Sequence, residues 1–199
     1  MRLARLAFAA SLLFAAPALA LDAGNRSFAP GRVGAILVGV TKPADLAKIY
    51  GVANVKYETM GYEGGQTPGA YIYSDTPNFL QVMFDEDGKS IESVVILGKN
   101  WASKSGLRIG IGVAQLERIN GGAFKFQGFG VDEGGRVFAD GPVLKPFTIH
   151  IGMSQRSAGQ AVREKFFGDA HYSSRHPAIK SAHLEVNIIY VTAASVRRE

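Results

Sequence analysis

Cysteine is absent from all 199 residues of this chain. That excludes disulfides, thiolate metal sites, a cysteine nucleophile and a lipid anchor on an N-terminal cysteine. Long apolar runs are missing as well. Beyond residue 20 nothing approaches the roughly 20 apolar residues that a spanning helix needs, so no integral membrane segment is predicted once the leader is removed. Clustered positive charge is also lacking. The formal net charge of +5 includes Arg2 and Arg5, and the other basic residues are scattered apart from Arg197-Arg198. A nucleic-acid interface would show a basic face interleaved with aromatics, so nucleic acid is not an expected partner. No G-x-S-x-G elbow occurs, and the many serines form no defensible Ser-His-Asp arrangement.

What is present begins with MRLARLAFAASLLFAAPALA. Arg2 and Arg5 form a positive start, Leu6 to Ala16 an apolar core, and Ala18-Leu19-Ala20 a small-x-small cleavage site. This pattern predicts a secretory signal peptide cut after Ala20, and hence a periplasmic or secreted protein. About 180 residues would follow, enough for one sizeable domain or two small ones.

Residues 21–32 are polar and carry Gly and Pro, which predicts a flexible leader. Two similar segments come next, ILVGVTKPADLAKIYGVA from Ile36 and LRIGIGVAQLERINGGA from Leu107. Shifted by 70 residues, Ala44, Leu46, Ile49, Gly51 and Ala53 fall on Ala114, Leu116, Ile119, Gly121 and Ala123. Each segment reads as an apolar strand, a glycine turn and a short helix with a Leu/Ile stripe. Thr41 is a candidate N-cap with Pro43 in the first turn, and Gly51 and Gly121 are candidate C-caps. A helix this short is marginal alone and must pack on a sheet.

Strands are predicted at Gly69–Tyr73, Asn78–Phe84 and Ile91–Leu97, the last two joined by a turn at Asp85–Gly88. That turn lacks the distal glutamate of a calcium loop. Further strands are predicted at Phe124–Gln127, Arg136–Ala139, Val143–Ile151 and His183–Thr192, with a third, weaker helix at Ala161–Ala170. His150 alternates outward on its strand. The expected fold is α+β: two tandem units of a short helix packed on an antiparallel sheet, plus a C-terminal helix–strand extension. The units span residues 33–100 and 101–192, and 193–199 form a tail.

Gly110-Ile111-Gly112 has the start of a dinucleotide-binding fingerprint, but Gln115 stands where the third small residue belongs. Gly39 enters the first helix in a similar way, so the glycines read as a turn, and no cofactor is expected.

The pattern carries two resemblances. Gly39–Gly51 (GVTKPADLAKIYG) and Val82–Ile91 (VMFDEDGKSI) resemble segments of the β-lactamase inhibitor protein and of the small outer-membrane lipoproteins of the envelope assembly machinery. Trp101, Gly106, Leu116, Asn120-Gly121, Phe126 and Gly128-Phe129-Gly130-x-Asp132 are similar to the core of uncharacterised bacterial exported proteins. The first resemblance implies a helix-fronted sheet that recognises proteins. Neither the inhibitor's disulfides nor the lipoproteins' anchor is matched, so inhibition is not carried over.

Candidate functional residues follow from composition. Phe124, Phe126 and Phe129 sit among Gly128, Gly130, Gly134 and Gly135, which predicts a kinked strand or close backbone approach. Its phenylalanines either enter the core or present Phe129 as an anchor. Trp101, Phe126, Phe129, Asp132, Tyr62 and Tyr71, with Tyr73, form the candidate binding set, because aromatics dominate interface energetics. His171, His176 and His183 offer imidazoles for zinc or copper, without the i, i+4 spacing of a helical site. Asp132-Glu133 is a carboxylate pair with no identifiable polar partner. The leading expectation is an exported, non-enzymatic binding protein of the periplasm that recognises another envelope protein. A small-ligand or metal carrier is the alternative, and a hydrolase using Asp132 or Glu133 a third class.

Overall fold

Alternation of apolar and polar residues builds the centre of the molecule. The strand Leu80–Phe84 (β6) buries its first, third and fifth residues and leaves Gln81 and Met83 half-buried. Its hairpin partner Ile91–Ile96 (β7) is more apolar, burying every residue but Glu92. The computed structural model describes residues 24–62, 65–154 and 164–194. The expected signal peptide, the start of the expected 161–170 helix and residues 195–199 of the expected tail fall outside them.

A six-stranded antiparallel sheet dominates, in the order β11-β13-β7-β6-β5-β4. Its other members are β4 (Val55–Tyr62), β5 (Gly65–Ile72), β11 (Thr148–Met153) and β13 (Leu184–Thr192). A four-stranded sheet joins β1 (Ser27–Ala29), β2 (Arg32–Val33), β3 (Ile36–Leu37) and β8 (Ala102–Ser103) in the order β3-β2-β1-β8, with β1 and β8 parallel. A three-stranded sheet joins β9 (Lys125–Gln127), β10 (Val137–Phe138) and β12 (His171–Ser173) in the order β10-β9-β12. The helices are short: α1 (Leu46–Tyr50), α2 (Val113–Asn120) and α3 (Ile179–Ala182). None of the described helices is long and apolar enough to cross a membrane.

The class is therefore α+β, and each half contributes a short helix and antiparallel strands. The halves are fused rather than separate: β13 pairs with β7, so the large sheet runs across the boundary at residue 100. One face of that sheet carries Ile149, Ile189, Ile96, Leu80 and Ile72 into a single buried cluster with Leu46 and Ile49 of α1 and Leu116 of α2. Burying each such side chain contributes about 1.5–3 kcal/mol.

Both glycine caps form as expected. Gly51 and Gly121 have φ of 88° and 80°. After α2 the Gly121 N–H bonds to the Arg118 carbonyl and the Gly122 N–H to the Glu117 carbonyl, the double closure of a Schellman motif. Gly110, at φ 85°, is a turn residue whose N–H bonds to the Val186 carbonyl of β13. Asp85 closes its hairpin: its carboxylate accepts from the backbone N–H of Lys89 and Ser90 and from the Ser90 hydroxyl. These bonds, the hydroxyl first, hold its carboxyl below the usual range.

Four expectations fail here, one of them the strand start at Val143, since residues 143–147 form a turn and β11 begins only at Thr148. The leader is not loose beyond Asn25, because Gly31 at φ 74° turns the chain so that Phe28 pairs with Val33 and is buried. Thr41 does not cap α1; its hydroxyl instead accepts from the Leu37 N–H, and a 3-10 turn at Pro43–Asp45 leads into the helix. The third helix does not run to Ala170, since Phe167 pairs in a bridge with Phe129. Strand β4 was not predicted, as VKYETMGY is nearly all polar or exposed at an edge.

Candidate functional site

The opposite face of the large sheet holds an open cleft of about 760 Å³ lined by Met83, Glu92, Ser93, Glu133, Gly134, Thr148, His150, Tyr190 and Thr192. Two β-bulges shape it. In the β6–β7 pair Met83 faces Ser93 and Phe84 faces Ile91, which leaves Glu92 unmatched. Successive residues of a regular strand point to opposite faces, and a bulge re-aims one of them. Glu92 and Ser93 thereby line the same cleft although they are adjacent. In the β11–β13 pair His150 faces Ile188 and Ile151 faces Val186, which leaves Asn187 unmatched.

The glycine-rich segment 128–136 walls the other side. The Ile151 N–H bonds to the Gly135 carbonyl, and Arg136 bridges to His150, so the loop covers part of the free edge of β11. Gly135 permits this approach, and Gly128 lets the start of the loop pack on the 166–168 backbone. A Cβ on Gly128 would lie 2.2 Å from the Gly168 carbonyl oxygen. The Gly135 N–H bonds back to the Gln127 carbonyl.

His150 links loop and sheet. Its Nδ1 lies 3.2 Å from the Gly134 carbonyl oxygen, which requires Nδ1–H as donor and leaves Nε2 as an acceptor in the neutral ring. Its ring packs 5.7 Å from that of Tyr190. Burial holds the imidazole below its ordinary range, opposed by the Gly134 bond and Glu133 and reinforced by Arg136. The folded chain thus favours neutral His150, whereas the unfolded chain takes up the proton near pH 6.5. Stability from this group is complete above about pH 6.5 and is lost as pH falls toward the lower folded value. Melting temperature is expected to drop between pH 7 and 5 more steeply in the native protein than in His150→Gln. Parallel slopes in the two proteins would remove His150 as the cause.

The sequence-derived candidates lie elsewhere. Trp101 is 0% exposed, donates from Nε1 to the Asn78 carbonyl, and lies beneath the Arg26 guanidinium. Phe126 is equally buried, with Phe166 and Tyr172 stacked 5.7 and 5.8 Å away. Phe129 is half-buried 6.0 Å from the Phe126 ring, and the Phe129 N–H bonds to the Phe166 carbonyl. All three are structural, and Trp101 and Phe126 have no surface to offer a partner. Tyr71 packs on Phe79 and Tyr73 on Tyr50. The Tyr62 side chain lies outside the described residues. Asp132 is exposed on the loop and does not line the cleft, whereas its neighbour Glu133 does, ion-paired to Arg136.

The three histidines do not converge. His171 stacks on Phe138, His176 packs against Phe166 and accepts the Ala178 N–H, and His183 ends α3 at φ 47°. Among the described residues no group of three or more His, Cys, Asp or Glu is gathered to hold a metal.

The sequence offers no role for Glu92, Ser93 or Tyr190, and for His150 only an outward place on its strand. The only signal was Glu92-Ser93 inside an otherwise apolar strand, where regular alternation would hide one of the pair.

No family model and no curated protein matches the chain. A solved structure with some likeness is the uncharacterized protein YfeY from Escherichia coli, at 12% identity and a TM-score of 0.41, covering 71% of this chain and 86% of that one.

Proposed function

We propose that the chain is an exported, non-enzymatic binding protein of the bacterial periplasm that recognises another envelope protein through the sheet cleft. The observation that carries this reading is the cleft itself. It is open, walled by a loop locked to the sheet edge, and its lining sets hydroxyls and two carboxylates among the apolar surfaces of Met83, His150 and Tyr190. Such a surface suits a polar, reversible contact better than a permanent interface, whose centre is usually depleted of charge. A small-ligand carrier is the second reading. It is favoured by a volume within the roughly 300–1,000 Å³ typical of small-molecule sites.

A photo-cross-linking residue placed at Thr192, which is exposed at the cleft, tests the reading in the native periplasm. One reproducible envelope protein is expected from that position and not from exposed Lys48 on α1. Equal capture from both positions, or none from Thr192, would overturn it in favour of the carrier.

A further inference from the structure

The chain carries a net positive charge, yet its cleft is acidic. Among the described residues that line it, none is lysine or arginine, and two are glutamates. A second groove, lined by Thr67, Met83, Asp85, Glu86 and Glu92, shares Met83 and Glu92 with it and extends the acidic strip along the sheet. Glu133 is neutralised by Arg136 and Asp85 is engaged in its hairpin, whereas Glu92 forms no ion pair among the described residues.

An independent observation comes from Ser93. It is only 8% exposed, and its hydroxyl makes no hydrogen bond among the described residues. Every fully buried side-chain polar atom there has a partner, so the surface that the Ser93 hydroxyl retains opens on the cleft that the residue lines. A hydroxyl on so enclosed a residue, with no protein partner, is left for water or a ligand entering the cleft to satisfy. The same lining carries further acceptors: the Glu92 carboxylate, the Thr148 and Thr192 hydroxyls and the His150 ring. Tyr190 adds an aromatic face, to which a cation is attracted.

We propose that the cleft takes a protonated amine or guanidinium, bound by Glu92 and Ser93 against Tyr190. The group is presented by a lysine or arginine side chain of a partner or carried by a free small amine. This rests on the reading that the cleft is the binding site. It goes beyond that reading in naming the chemistry.

Calorimetric titration of the exported chain with 1,5-diaminopentane, a lysine-containing decapeptide and its glutamate counterpart tests it. Saturable binding of the diamine or the lysine peptide is expected, with none of the glutamate peptide and weaker binding at high salt. Loss of one charge-assisted hydrogen bond should weaken affinity about tenfold in Glu92→Gln. Ser93→Ala should act in the same direction with melting temperature unchanged. Asp132→Asn, outside the lining, should bind like the native chain. Tighter binding of the peptide identifies a side chain as the source, and tighter binding of the diamine identifies a free amine. Binding of the glutamate peptide, no binding by either cationic probe, or native affinity in Glu92→Gln would overturn the proposal. A partner cross-linked at Thr192 with no amine bound would sink the amine chemistry and leave the partner reading intact. Amine bound with no partner captured would do the reverse.

Discussion

Trp101→Ala is expected to cost the fold about 3–5 kcal/mol, the range for removing a large aromatic side chain from a core that cannot collapse. Trp101 is fully buried, and its surroundings are tied together. The Asn78 carbonyl receives the indole N–H at 2.9 Å, while the Asn78 side chain accepts from Arg26 Nε and Asn100 Nδ2. The Arg26 guanidinium sits 5.1 Å over the indole and 5.0 Å over the Tyr73 ring. Gly98 adds rigidity, since its Cα lies so close to the Pro77–Phe79 backbone that a Cβ would come within 2.5 Å of it. Alanine would leave both a void and an orphaned carbonyl. Trp101→Phe separates the two effects, because it fills most of the volume and loses only the hydrogen bond, at about 1–2 kcal/mol. Urea midpoints of the three proteins check this. A native midpoint in Trp101→Ala would mean that Trp101 is not in the core.

This residue shows what could be read in the sequence and what could not. A lone tryptophan at the junction of two similar segments is a conspicuous residue, but composition does not distinguish an anchor for a partner from an anchor for the fold. The difference lies in Asn78 and Arg26, distant in sequence, which enclose it. Period-two alternation located β9 and β13, apolar runs on either side of an Asp-Gly turn located β6 and β7, and the glycines after α1 and α2 marked their ends, because these signals are local. The sharing of one sheet between the halves was hidden, since β13 finds β7 only in three dimensions. The cleft was hidden for a related reason. Alternation assigns Glu92 and Ser93 to opposite faces, and the bulge opposite Met83 depends on the partner strand. His150 was placed correctly, pointing outward, yet its burial is imposed by a loop 16 residues earlier in the chain.

That loop carries the second large expected effect. Gly135→Ala should destabilise the protein by about 3 kcal/mol or more, through two costs that act at one atom. Gly135 has φ 78°, where a side chain costs about 1–2 kcal/mol by itself. Its Cβ would lie 2.0 Å from the Ile151 carbonyl oxygen and 3.0 Å from the Phe129 ring. Neither neighbour can retreat. Ile151 is held in β11 by its pairing with Val186, and Phe129 by the Phe126 ring and the Phe166 and Gly168 backbones. The loop must therefore leave the sheet edge, and the Ile151 N–H loses the Gly135 carbonyl. Gly122→Ala is the matched control: no atom lies within 4 Å of its Cβ and its φ is not left-handed, so stability should change little. Amide exchange at Ile151 should accelerate in Gly135→Ala and not in Gly122→Ala. Because Gly134 is the adjacent residue and supplies the carbonyl to His150, displacing the loop also exposes the imidazole. The pH dependence assigned to His150 should then flatten in Gly135→Ala as it does in His150→Gln. If Gly135→Ala were to unfold the chain outright, the same coupling would be read from Phe129→Leu, which loosens the loop without a backbone clash. A variant with fast exchange at Ile151 and an undiminished pH slope would break the link between loop docking and the burial of His150.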